Sequence, residues 1–67
     1  MLMGTIKITS STNETYKVGD TIDMMAFLSD YFRNCTDRDY VAYLQRIPMP
    51  SAVEIIAEEL GIEYEFV

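Results

Sequence analysis

The chain has no histidine and no tryptophan, and only one cysteine, two prolines and three glycines among its 67 residues. Each shortage excludes a class of chemistry. Without histidine there is no ordinary general base, no imidazole metal ligand and no Ser-His or Cys-His nucleophile pair. Cys35 alone forms no disulfide within the chain and assembles no zinc site of the Cys/His kind. Its place near a helix C-terminus also disfavours a thiolate, so a buried, inert thiol is expected. Gly4, Gly19 and Gly61 stand apart from one another, so no phosphate-cradling loop runs through them. Asp37-Arg38-Asp39 lacks the glycine and closing glutamate of a calcium loop. The longest unbroken apolar run is Met24 to Leu28, far short of the roughly 20 residues that a membrane helix needs. Bases are scarce too. Five Lys and Arg face eleven Asp and Glu, giving a net charge of -6. Direct binding to a phosphate backbone or an anionic lipid surface draws on Lys and Arg, so neither nucleic acid nor membrane is an expected direct partner. No catalytic residue, cofactor or metal is expected.

What is present suits one small folded domain over residues 1–67. The chain is 49% hydrophobic, too rich in apolar side chains for disorder. A domain of this size buries only about 60% of its unfolded surface, so its core is marginal. Met1-Leu2-Met3-Gly4 has neither a basic n-region nor a long apolar h-region. With the solitary cysteine, this leads us to expect a cytoplasmic location.

Period-two alternation predicts three strands. Thr5–Thr9 puts Ile6 and Ile8 on one face, Thr15–Val18 puts Tyr16 and Val18 on one face, and Ile62–Val67 puts Ile62, Tyr64 and Phe66 on one face. The first two are expected to pair as a hairpin across Ser10–Glu14. Period-3.6 patterning predicts three helices. The first is capped by Asp20 or Thr21 and runs to Cys35, burying Met24, Met25, Phe27, Leu28, Tyr31 and Phe32. The second is capped by Thr36, buries Tyr40, Val41, Tyr43, Leu44 and Ile47, and stops at Pro48-Met49-Pro50. In the third, Ser51 and Glu54 fit a capping box, Val53, Ile56, Ala57 and Leu60 form the buried stripe, and Gly61 ends the helix. The expected fold is α+β, ββαααβ, with the helices on one face of a three-stranded sheet. Which strand the last one joins is not readable from pattern.

The functional signal is charge asymmetry. Residues 1–46 carry six acids and five bases, whereas residues 47–67 carry Glu54, Glu58, Glu59, Glu63 and Glu65 and no base. On a helical wheel Glu54, Glu58 and Glu59 surround Ile55, which points away from the Val53-Ile56-Leu60 stripe. Glu63 and Glu65 share one face of the last strand. An apolar anchor ringed by charge is a common form of protein-binding patch, so Glu54, Ile55, Glu58, Glu59, Glu63 and Glu65 are the candidate site.

The expected function is a small acidic, non-catalytic binding module. It would act as an inhibitor or regulator that docks on a basic protein surface, with carboxylates standing in for the phosphates of nucleic acid. In bulk charge and size the chain resembles acidic inhibitors of nucleases and host-defence systems carried by mobile elements. The alternative is a structural or assembly subunit, for example a homodimer. Pairing of two copies through the last strand is disfavoured, because Glu63 and Glu65 would face like charges. Ala57–Ile62 also resembles the first half of a repressor-type helix-turn-helix. The continuation Glu63-Tyr64-Glu65-Phe66-Val67 offers no recognition helix and no base-reading side chain.

Overall fold

The computed structural model describes residues 4–67 and has the element order ββαααβ: β1 (Thr5–Ser11), β2 (Thr21–Asp23), α1 (Met24–Asn34), α2 (Arg38–Arg46), α3 (Met49–Leu60) and β3 (Ile62–Phe66). The antiparallel sheet has the order β2-β1-β3, so the last strand joins the first and β3 forms an open edge. Extents of 31 × 31 × 16 Å correspond to two layers, one of sheet and one of helices. No helix among the described residues is long and apolar enough to cross a membrane.

The core lies between the layers. Ile6 and Ile8 project from β1 and are fully buried against Phe27, Leu44, Val53 and Ile56. Ile6 stands opposite Phe66 and Ile8 opposite Tyr64, so both aromatics share the core-facing side of the sheet, half-buried at its edge. The alternate residues Lys7, Glu63 and Glu65 are exposed on the outer face, with Lys7 opposite Glu65. An extra residue in β1 between Ile8 and Ser10 shifts the register and brings Ser11 opposite Ile62.

Four predicted boundaries move. The second strand is Thr21–Asp23, not Thr15–Val18. The amides of Thr15 and Tyr16 both donate to Asn13 Oδ1, at 2.8 and 3.4 Å, and are therefore lost to a ladder. Gly19, at φ +96°, turns the chain back, and its N–H donates to Ile8 O at 2.8 Å. Val18 stays 64% exposed, whereas Tyr16 packs edge-on against Phe27 at 5.3 Å. With β2 reaching Asp23, the cap of α1 is Asp23, which accepts from the Met25 amide at 2.9 Å, rather than Asp20 or Thr21. The cap of α2 is Asp37, accepting from Tyr40, rather than Thr36. In α3 the capping box does not form. Pro50 suits the first turn because it has no amide to satisfy, so the helix begins at Met49 and Ser51 lies inside it. Gly61 ends the helix as expected, in the left-handed conformation at φ +76°.

Two apolar residues leave the expected arcs: Met25 is 57% exposed and Tyr43 is 50% exposed. Cys35, expected to be buried, is only half-buried at the C-cap of α1.

Candidate functional site

The six predicted residues do not form one ring. Glu54 and Glu58 lie one turn apart on α3, and Glu63, two residues past Gly61, stands exposed at the β3 edge beside them. Together they line an open groove of about 780 Å³, walled also by Thr9, Ser10, Thr12 and Tyr64. Glu59 is on the other flank of α3, where it accepts a hydrogen bond from Tyr31 Oη at 2.9 Å. Glu65 lies on the outer face of the sheet opposite Lys7. Ile55 is half-buried and packs against the core, so it is not the exposed anchor that the wheel suggested. The reason is that α3 has neighbours on more than one side, in α1, α2 and β3, and its buried arc is wider than the Val53-Ile56-Leu60 stripe. Thr9, Ser10 and Thr12 also line the groove; Thr9 is the extra residue of β1, and period-two alternation carries no signal of it.

Among the described residues the one ion pair is Arg33 with Asp30, at 3.2 Å on the surface. Glu54, Glu58, Glu59, Glu63 and Glu65 therefore have no cation within 4.0 Å among those residues. Three or more potential metal ligands do not come together anywhere in the described chain. Comparison of the chain with family models, with curated proteins and with solved structures gives no match.

Burial, and after it the neighbouring carboxylates, shift the tyrosines. Burial raises the Tyr64 hydroxyl above its ordinary pKa of 10, and the Glu54 carboxylate adds to the shift. Burial likewise raises Tyr31, reinforced by its hydrogen bond to Glu59, and raises Tyr40, with Glu59 again contributing. Tyr16 is raised by burial and by donation to Asp30 at 3.2 Å. A group whose folded pKa lies above its unfolded value contributes stability that is complete below the unfolded pKa and is lost as pH climbs towards the folded one. Stability should therefore fall as pH rises above 10. Tyr31→Phe should flatten that fall, as read from urea midpoints across the alkaline range. An identical slope in the variant would show that Tyr31 contributes nothing to it.

Two further concave features lie elsewhere on the described surface. Tyr16, Asp30, Tyr31, Asn34, Cys35 and Glu59 line a polar cleft of about 450 Å³. Its hydroxyls and carboxylates already hydrogen-bond one another, and the Cys35 Sγ lies 3.9 Å from Asp37 O with no base beside it. On the opposite side of α1, Met25, Phe32, Leu44, Ile47 and Met49 line an apolar groove of about 270 Å³.

Proposed function

We propose that the chain is a non-catalytic acidic binding module that docks on the basic surface of another protein, as an inhibitor or regulator. The observation that supports it most is the convergence of Glu54, Glu58 and Glu63 on one open groove, with no cation of the described chain within ion-pairing distance. Carboxylates left without partners are hydrated acceptors. They match a surface of Lys and Arg that ordinarily holds phosphates, and such a pairing gives fast, salt-sensitive association. On this reading the partner is a nucleic-acid-binding protein of the cytoplasm.

A second reading is favoured by the apolar groove around Met25 and Met49, which are 57% and 39% exposed. That surface suits a structural or assembly contact, a homodimer included. One experiment separates the two. The tagged protein is used to capture partners from lysate, beside a Glu54→Lys, Glu58→Lys, Glu63→Lys variant and a Met25→Asp, Met49→Asp variant. The acidic reading expects a basic partner that is released by salt and displaced by nucleic acid. Binding should fall roughly tenfold to hundredfold in the triple variant, since each exposed charge contact contributes up to about 1 kcal/mol. Salt-resistant capture, unchanged in the triple variant and lost in the methionine variant, would overturn it in favour of assembly.

A further inference from the structure

We propose that the open edge of β3 is the docking line, and that its occupant is an extended segment of the partner in which basic residues alternate with apolar ones. This rests on the reading that the module binds a basic protein. Val67 N–H donates to Thr5 O at 3.0 Å, which makes Thr5 and Val67 a hydrogen-bonded pair of the antiparallel ladder. Such pairs alternate, so Lys7 and Glu65 form the next one, while Phe66 opposite Ile6 and Tyr64 opposite Ile8 are non-bonded pairs. The N–H and C=O groups of Tyr64 and Phe66 therefore point away from β1. Because β3 is the last strand on that side, no strand of the described chain meets them. An unpaired row of donors and acceptors is a template for another strand.

The two sides of that edge specify what the strand must carry. Outward lie Glu63 and Glu65, both exposed. Inward lie the half-buried rings of Tyr64 and Phe66, packed edge to face at 5.5 Å. A strand added alongside meets carboxylates with one set of its side chains and aromatic surface with the other. Lys or Arg fits the first and Val, Ile or Leu the second. Glu54 and Glu58 lie beyond the Tyr64 ring, in the groove that Tyr64 also lines, so the apolar side chains of the added strand meet the rings while a basic residue past its end reaches these carboxylates. A second copy of β3 fits worse. An antiparallel pair with its two-fold axis at Tyr64 sets Glu63 of each copy opposite Glu65 of the other, with no base between them.

The test uses the full chain and a short synthetic peptide alternating lysine with valine. A second peptide of the same composition has its lysines in one block. Amide exchange is followed by NMR. The expected result is tighter binding of the alternating peptide and new protection at the Tyr64 and Phe66 amides. Proline has no N–H, and at Phe66 it removes an outward donor without breaking the β1 ladder. Phe66→Pro should therefore bind about tenfold more weakly than Phe66→Ala, the loss of one main-chain hydrogen bond. Glu63→Lys with Glu65→Lys should reverse preference towards a peptide alternating glutamate with valine. This charge swap keeps the test decisive if the proline variant folds poorly. Binding of both lysine peptides with equal affinity and no protection at Tyr64 and Phe66 would overturn the edge and leave the acidic reading standing. Binding of neither would overturn the edge, and the lysate capture described above would then decide the acidic reading by itself. Protection of the same amides by self-association of the chain alone would replace the proposed partner with a second copy.

Discussion

Phe27→Ala should remove most or all of the cooperative unfolding transition. Phe27 is completely buried between sheet and helices, among the largest fully buried side chains of the core. It also holds the long loop between β1 and β2, because Tyr16 packs edge-on against its ring. Truncation of a buried phenylalanine costs about 3–5 kcal/mol, and a domain of 67 residues has roughly 3–10 kcal/mol in total. The two ranges overlap, which is the consequence of a small core. In a thermal melt followed by circular dichroism, the variant should lose more than about 12 °C or show no transition, since 1 kcal/mol moves Tm by about 4–8 °C at this size. A Tm within about 5 °C of the parent would show that the interior collapses around the missing ring. Tyr16→Phe, which keeps the ring and removes only the hydrogen bond to Asp30, should cost no more than about 1 kcal/mol.

The same residues show why most of the fold could be read from sequence. Ile6 and Ile8 alternate with exposed Lys7, and Ile62, Tyr64 and Phe66 with exposed Glu63 and Glu65, because one face of the sheet meets helices and the other does not. Phe27 and Leu28, like Val53, Ile56 and Ala57, recur at helical spacing because each helix buries one side. The second strand departs from the sequence pattern because two effects compete locally. Tyr16 and Val18 alternate like strand residues, but the Asn13 side chain captures the amides of Thr15 and Tyr16. The true partner, Thr21–Asp23, is three residues long and too short to show a period.

The candidate site was legible as a set of charges and not as an arrangement. The wheel correctly put Glu54 and Glu58 on one exposed side of α3. It could not show that Glu59 turns towards Tyr31, because that depends on the position of α1. Nor could it show Ile55 half-buried, because the width of a buried arc is set by how many neighbours the helix has. That Glu63 joins Glu54 and Glu58, while Glu65 stands apart over Lys7, follows from strand register and from the turn at Gly61.

That turn is the second place where a small change should have a large effect. Gly61 ends α3 at φ +76°, with its N–H donating to the carbonyls of Ala57 and Glu58, and β3 starts at the next residue. A left-handed backbone costs an L-residue about 1–2 kcal/mol. A methyl group at Gly61 would also run into Thr12 Oγ1. Thr12 cannot turn aside freely, because its hydroxyl and its N–H both donate to Gly61 O, at 3.1 and 3.0 Å. Gly61→Ala should therefore cost about 2–4 kcal/mol, the sum of backbone strain, steric relief and a weakened hydrogen bond. Thr12→Ala alone should cost about 1 kcal/mol. The double variant should be less destabilised than the two singles added together, because removing the hydroxyl also removes the clash. In the Thr12→Ala background, Gly61→Asn should be milder than Gly61→Ala, since asparagine adopts the left-handed region more readily. Urea midpoints for the parent and the four variants decide the matter. Additive costs, or a Gly61→Ala protein as stable as the parent, would show that the turn relaxes without strain. If the coupling appears, the binding to a basic surface that we propose should weaken along with stability. Gly61 lies between Glu58 and Glu63, and a turn forced out of its left-handed conformation carries the two carboxylates apart.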